Sequence, residues 1–172
     1  MTSARRRGKP LKPGATAILR AGLALTAYAA GWIWIVAAVA ATTERIVTNP
    51  RTGLAIDGYD PVSYFIDGAA IVGRGEFEAR FHGVVWRFRN SGNQAAFMDR
   101  PGDYEPHFGG YDPVAVARGA PSPGSPEIWL IVGRVLYLFY RVETRNEFQS
   151  DPKRLSVEAE AKWPDIVRVL SQ

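Results

Sequence analysis

The sequence predicts an α+β domain in which a small antiparallel sheet of two hairpins is covered by short helices, preceded by one N-terminal transmembrane or signal helix. Residues 76–88 alternate apolar and polar side chains on both sides of a His-Gly pair, which is typical of a hairpin. Residues 128–140 form an apolar run that Gly133 and Arg134 interrupt, and this predicts a second hairpin. Because 47% of the residues are hydrophobic and 12% are aromatic, the chain can bury a core.

The start of the chain predicts a membrane segment. Residues 21–43, AGLALTAYAAGWIWIVAAVAATT, carry no charge. As a helix they would extend about 34 Å, which is enough to cross a hydrocarbon core of about 30 Å. We therefore divide the chain into a basic cytoplasmic leader (1–20), a transmembrane anchor or signal sequence (21–43), a polar linker (44–53) and a domain (54–172).

The fate of this N-terminal helix stays open at the level of sequence. The small-x-small pattern of Ala38, Val39 and Ala40 is compatible with signal cleavage, although cleavable apolar regions usually run only about 7–15 residues. A buried helix of a soluble protein is a third, less favoured alternative. Since the basic residues precede the helix, we expect an inner-membrane protein whose domain lies in the periplasm, or a periplasmic protein if the signal is cleaved.

Charge and cysteine content exclude several functions. The formal net charge is +4, but the first 20 residues alone carry six positive charges, so the rest of the chain is slightly acidic. We therefore expect no nucleic acid partner. The absence of cysteine excludes disulfides, thiolate nucleophiles and sulfur-ligated zinc or iron–sulfur sites. No Ser-His-Asp, nucleotide-binding or metalloprotease pattern is present, and we do not expect an enzyme.

Local patterns predict the elements of the first half of the domain. A brief apolar run at 69–72 precedes a strand at 76–81, and a returning strand follows at 84–88. Each strand places its apolar side chains on one face. Asn90 or Ser91 then caps a short helix, which a Pro-Gly pair ends.

The second half repeats similar signals. Asp112 is placed to cap one or two helical turns, with Pro113 at the first position and Gly119 at the end. A loop at 120–126 leads into the second hairpin, which we expect to be buried on both faces or nearly so. Two helical segments, ETRNEFQ and RLSVEAEAKW, are punctuated by prolines and followed by a final turn.

One pentapeptide occurs twice. Gly-Tyr-Asp-Pro-Val stands at residues 58–62 and again at residues 110–114. Different residues follow the two copies, SYFIDG after the first and AVARGA after the second. We therefore interpret the identity as accidental, with an internal duplication as the less favoured alternative.

Taken together, the motifs resemble those of the YHS domain family, in its exported bacterial branch. The resemblance covers residues 54–163 and rests on four stretches: GYDPVSYF, FHGVVWRF, NQAAFMDRPGDYEPHFGGY and IWLIVGRVLYLFY. It implies an α+β fold and the handling of transition metals, copper among them, through cysteine-rich sites.

The cysteines that the resemblance implies are replaced in this chain. Their positions correspond to Ser63, Arg89 and Asn93, and a further one, after Gly-Gly-Tyr, corresponds to Asp112. Arginine cannot bind a cation, and serine and asparagine are poor ligands for soft metals. Any remaining site would have harder ligands, nitrogen and oxygen, than the thiolate site of the family. A copper or zinc ion is the cofactor to test.

The remaining candidates are carboxylates, tyrosines and histidines. Asp60 and Asp112 could form a carboxylate pair for a hard cation or for acid–base chemistry, or each could cap a turn. Tyr59 and Tyr111 are predicted to pack under these turns, with their hydroxyls bonded to backbone, or to contribute to a binding site.

The two histidines of the chain, His82 and His107, complete the candidate metal ligands together with Asp112 and Met98. His82 falls in a hairpin turn, where a polar residue is expected without any function. His107 precedes Gly109 and Gly110, and it is an exposed loop residue in the simpler interpretation.

Two functions follow from these observations. The first is a membrane-anchored envelope binding module of YHS type that handles a transition metal through a rebuilt or weakened site without thiolates. The alternative is a degenerate YHS scaffold that binds no metal and serves as a protein-interaction module, with an envelope protein as its partner.

Overall fold

The computed structural model of the protein describes residues 45–171. Within them the α+β class is confirmed, but the two hairpins form two separate two-stranded sheets and not the single sheet that the sequence predicted. The strands are β1 (Arg74–Phe81), β2 (Val84–Phe88), β3 (Ser125–Val132) and β4 (Val135–Phe139), and the helices are α1 (Ser63–Ile66), α2 (Ser91–Asp99), α3 (Pro113–Ala117), α4 (Val142–Ser150) and α5 (Pro152–Leu170).

The predicted N-terminal segments, 1–20 and 21–43, lie outside the described residues. Between residues 45 and 171 the structure contains no helix that is both long enough and apolar enough to span a membrane. The start of the described chain is not a free linker, because Ile46 is buried and the amide of Val47 donates to the carbonyl of Gly109 at 2.8 Å. Residues 45–53 therefore belong to the domain.

The domain consists of two structural repeats, so the interpretation of the shared pentapeptide as accidental is wrong for the three-dimensional structure. The first repeat (54–99) and the second repeat (106–150) have the same order of elements. Each repeat contains, in this order, a one-turn 3₁₀ segment, a short helix, a hairpin and a nine-residue helix. Equivalent residues lie 51 or 52 positions apart along the chain.

The equivalence extends to details of the backbone. Each hairpin has its register shift at the same place, between Arg74 and Glu78 in the first repeat and between Ser125 and Trp129 in the second. The shared Gly-Tyr pair is also held alike, since Gly58 and Gly110 both have a positive φ, 81° and 90°. Only a glycine adopts this conformation without strain, which explains why this residue is the same in both copies.

Each repeat has its own aromatic core. Phe97 contacts the rings of Trp86 and Phe88 in the first repeat, with centroids 5.0 and 5.2 Å apart. The equivalent Phe148 contacts Tyr137 and Phe139 in the second repeat, at 4.7 and 5.5 Å. β4 joins the two cores, because Leu136 and Leu138 on its other face belong to the core of the first repeat. As predicted, β4 is buried on both faces, whereas β3 is only half-buried.

Two helices differ from the sequence-based expectation. α1 was not predicted, because its four residues are too few to show a helical period. α5 is one helix of 19 residues that continues through Pro164, where a break was predicted. Its apolar face packs against α3 and the core of the second repeat, and this burial outweighs the backbone hydrogen bond that a proline cannot make.

Candidate binding site

The two predicted carboxylates are buried at equivalent positions and do not converge on one ligand. Asp60 is fully buried; its Oδ1 accepts a hydrogen bond from the amide of Val62, and its Oδ2 accepts from the amide of Arg89 and from Nδ2 of Asn93. The distances are 2.9, 2.9 and 2.7 Å. Asp60 therefore ties the start of α1 to the end of β2 and to α2.

Asp112 has the same role in the second repeat. Its Oδ1 accepts from the amides of Val114 and Ala115 at 2.8 and 3.2 Å, and so caps α3. Its Oδ2 accepts from the amide of Tyr140 at 2.9 Å and from the hydroxyl of Thr144 at 2.5 Å. The cap predicted for α3 is confirmed. Because both oxygen atoms are committed to internal donors, this carboxylate has little capacity left for a cation.

The positions at which the resemblance implies cysteines also have structural roles. The backbone amide of Arg89 and the side-chain amide of Asn93 both donate to the carboxylate of Asp60, as described above. Ser63 is fully buried as well, and its hydroxyl donates to the carbonyl oxygens of Asp60 and Ala69, both at 2.8 Å. The same hydroxyl accepts from the amide of Ile71 at 3.3 Å. The structure thus brings these three positions to Asp60, with Arg89 and Asn93 bonded to its carboxylate and Ser63 to its backbone carbonyl.

The two tyrosines of the repeated motif have different environments. The hydroxyl of Tyr59 donates to Oε1 of Glu127 on β3 at 3.0 Å, so the predicted bond to backbone is wrong for this residue. Partial burial, followed by the Glu127 carboxylate, raises the pKa of Tyr59. Tyr111 is buried, as predicted, and its ring lies 5.9 Å from that of Trp163.

His107 pairs with a glutamate that no sequence pattern singled out. Its Nε2 lies 2.5 Å from Oε1 of Glu160 on α5. The imidazole also contacts the rings of Phe108 and Tyr137, with centroid distances of 4.2 and 5.4 Å. About a third of the His107 side chain is exposed, so this pair lies at the edge of the second core.

His82 lies in the β1–β2 turn and borders the first of two clefts. Its Nδ1 is 3.3 Å from Oε2 of Glu105, a carboxylate that is only 17% exposed. Burial raises the pKa of Glu105, while His82 and Arg45 act in the opposite direction. The cleft has a volume of about 300 Å³, and Arg45, Ile46, Gly109 and Trp163 complete its lining. We call it the His82 cleft.

The predicted metal ligands have thus separate partners. Asp112 is enclosed by backbone donors, His107 pairs with Glu160, and His82 pairs with Glu105. Met98 is 48% exposed on α2. Within residues 45–171 no three histidine, cysteine, aspartate or glutamate side chains are arranged to hold a metal ion.

Sequence reasoning missed the residues that build the His82 cleft. Glu105 lies 23 positions after His82, and Trp163 comes from α5 at the far end of the chain. No local spacing connects these residues. The repeat itself was the one signal in the sequence. Recognising it would have identified both aspartates as structural caps, and it would have drawn attention to the residues that differ between the copies.

No family model matches the chain, and neither the curated proteins nor the solved structures contain a match to it. The fold and the site define an α+β domain of two repeats in which each repeat is organised around a buried aspartate. The polar side chains available to a ligand lie in clefts between elements and not in the repeated motif.

Proposed function

We propose that this protein is a non-enzymatic binding module of the cell envelope, anchored by one N-terminal helix, whose YHS-like scaffold binds no metal and serves protein interaction. The observation that supports this proposal best is the state of Asp60 and Asp112. Both are fully buried, and their oxygen atoms accept three and four hydrogen bonds from the protein. A carboxylate with this many internal donors stabilises a fold and offers little to a ligand.

The cluster around Asp60 supports the same proposal. The positions where the resemblance implies thiolates are occupied by Ser63, Arg89 and Asn93, whose polar atoms complete the hydrogen bonds of the carboxylate and of the neighbouring loop. Donors that converge on an anion repel a cation, so this cluster replaces a metal in holding the elements together.

The His82 cleft is the surface that we assign to the partner. It combines an imidazole, a half-buried carboxylate, a guanidinium and an indole within about 300 Å³. This mixture of opposite charges beside an aromatic ring is typical of protein interfaces, which are enriched in tryptophan and arginine. A protein segment with both a cationic and an anionic side chain would satisfy both charged groups of the cleft.

A second candidate function is weak metal handling through the two histidines. It is favoured by the presence of a carboxylate beside each imidazole, at 3.3 Å for His82 and 2.5 Å for His107. One nitrogen and one oxygen ligand at each place would suit zinc or Cu(II) better than Cu(I). In this case the metal would need further ligands from water or from a partner.

A metal titration distinguishes the two functions. The full chain, purified without a histidine tag in mild detergent, would be titrated with Cu(I), Cu(II) and Zn(II) while heat and bound metal are recorded. We expect no saturable one-to-one binding and no rise in Tm on addition of metal. Binding that is one-to-one and disappears in the His82→Gln/His107→Gln double variant would overturn the proposal in favour of the second candidate.

The interaction role needs a positive test in the membrane. A photo-reactive side chain would be placed at Trp163 in the His82 cleft and, as the control, at Arg168, which lies on α5 outside the cleft lining. We expect a discrete cross-linked protein from the first position only, and loss of this product when Glu105→Gln is added. Equal cross-linking at both positions would contradict a specific surface.

A further inference from the structure

A second cleft, which shares no residue with the His82 cleft, lies between the two repeats. It has a volume of about 330 Å³, within the range of sites that hold small ligands. Its apolar wall combines Phe65 and Ile66 at the end of α1 with Tyr104 and Val135. The rings of Phe65 and Tyr104 form an edge-to-face pair with centroids 5.6 Å apart. Ile66 is 64% exposed. We call it the Arg134 cleft, after the residue at its rim.

Arg134 has a backbone conformation that its residue type does not favour. It is the second residue of the β3–β4 turn and has a φ of 67°. The equivalent residue of the β1–β2 turn is Gly83, with a φ of 82°. A side chain in this left-handed region costs about 1 kcal/mol relative to glycine. The comparison of the repeats therefore shows that the fold accepts a strained arginine where glycine would serve.

The two-residue turn itself requires a positive φ at both positions, as in the first repeat, where His82 and Gly83 have φ of 49° and 82°. Among residues 45–171 the Arg134 side chain makes no hydrogen bond or ion pair. Arg134 lines the cleft together with Arg100, whose contacts with Asp99 and Asp103 are long, 3.4 and 3.7 Å. Two arginines and one aspartate thus border the apolar wall, and the lining carries a positive net charge.

We propose that the Arg134 cleft binds an anionic amphiphile, a small molecule that joins one carboxylate to a short aliphatic or aromatic tail. The carboxylate pairs with Arg134 and Arg100, because a guanidinium binds this group through two parallel hydrogen bonds. The tail covers Ile66 and lies along Phe65 and Val135. Arg134 is exposed and has no partner among residues 45–171, so a bound carboxylate would be its first ion-pair partner.

The test uses the full chain in nanodiscs of zwitterionic lipid, since detergent would compete for an amphiphile site. The probe is 4-phenylbutyrate, and its neutral and cationic analogues, 4-phenylbutan-1-ol and 4-phenylbutylamine, report on the need for the negative charge. We expect saturable binding of the acid by calorimetry, with the alcohol about tenfold weaker or more, because a charge-assisted hydrogen bond is lost. The amine should not bind.

Variants then separate the site from the scaffold. Arg134→Gly introduces the residue of the first repeat, so we expect a small rise in Tm together with binding of the acid that is about tenfold weaker. Arg100→Gln should weaken binding similarly. Arg168→Gln, an exposed arginine of α5, is the matched control and should bind as the unmodified chain does.

Several outcomes would overturn the proposal. The site is not an anion site if the alcohol binds as tightly as the acid, or if Arg134→Gly binds the acid unchanged. It is not a ligand site at all if the unmodified chain shows no saturable binding. Because this cleft and the His82 cleft have no residue in common, none of these results bears on the proposed interaction role.

Discussion

The two repeats of this domain share a framework and differ at their surfaces. Each has a buried aspartate that ties a short helix to a hairpin and to the helix that follows, and each has a phenylalanine that packs on two aromatic residues of its second strand. The turns differ, because the first repeat has His82 and Gly83 where the second has Gly133 and Arg134. Residues that hold the framework are thus kept, and the turn residues that border the clefts are not.

The remaining difference between the repeats lies in what covers them. The first repeat is followed by a short 3₁₀ turn at Pro101–Asp103, whereas the second is followed by α5, which packs on α3. α5 also supplies Glu160 to His107 and Trp163 to the His82 cleft. α5 supplies Leu155, Ala159 and Ile166 to the second core, while β4 supplies Leu136 and Leu138 to the first, and within residues 45–171 the two cores have ten buried residues each.

Among the tests of this equivalence, we expect the largest loss of stability from substitution of the central phenylalanines. Phe97 and Phe148 are both fully buried at equivalent positions of their helices. We expect Phe97→Ala and Phe148→Ala each to lower the free energy of unfolding by about 4 kcal/mol, since a buried ring leaves a cavity that the core cannot fill. Urea unfolding of the full chain, followed by tryptophan fluorescence, measures both values.

The control for the phenylalanine pair is Met98→Ala, the neighbour of Phe97 with 48% of its surface exposed. We expect it to cost less than about 1 kcal/mol because about half of its area already lies in water. A loss this small for either phenylalanine would mean that one repeat tolerates an open core, and that the two are unequal in packing.

A smaller effect is expected from the aspartates. In Asp60→Asn and Asp112→Asn the new amide cannot accept from every donor that faces it, so at least one of the N–H or O–H groups around each position loses its partner. We expect each variant to lose about 3 kcal/mol of unfolding free energy. Asp165→Asn, with a carboxyl that is 72% exposed, is the control and should be close to neutral.

The result for the aspartates also bears on the proposed function. If Asp112→Asn retained full stability, the carboxylate would have no structural role, and its burial would need a ligand as its explanation. Equal losses in the two variants would instead support two repeats that are held together in the same way.

The sequence predicted the hairpins and the caps well, because their signals are local. The alternation around His82, the Gly-Arg pair at 133–134 and the Asp-Pro step at 112–113 each act within a few residues. The repeat was missed because its equivalence lies in backbone conformation and in core positions, such as Trp86 and Tyr137, which are similar only in being aromatic.

The candidate site was predictable only in part, for a physical reason. His82 and His107 were selected as candidate metal ligands, and the glutamates that lie beside them, Glu105 and Glu160, depend on how α5 and the loop after α2 fold back. Asp112 was selected as a metal ligand for its chemistry, and two of its four donors belong to Tyr140, just after β4, and Thr144 on α4, about 30 positions later in the chain.

The smallest expected effect concerns pH and the one half-buried carboxyl of the His82 cleft. Burial raises the pKa of Glu105 above its ordinary value of 4.5, so the folded chain holds this proton more tightly than the unfolded chain does. The resulting stabilisation is present below pH 4.5 and is lost as the pH rises through the raised pKa. Glu105→Gln should remove this pH dependence, so that its stability relative to the unmodified chain increases across that interval.

Glu160→Gln on α5 provides the matched comparison, because it replaces the other carboxyl that pairs with a histidine but is itself 54% exposed. Thermal unfolding of the three proteins between pH 4 and pH 8 would measure the differences. If the two variants changed with pH in the same way, burial of Glu105 would not be the cause. If only Glu105→Gln changed the dependence of Tm on pH, the ionised Glu105 would lower the stability of the fold while giving the His82 cleft a charged group for a partner.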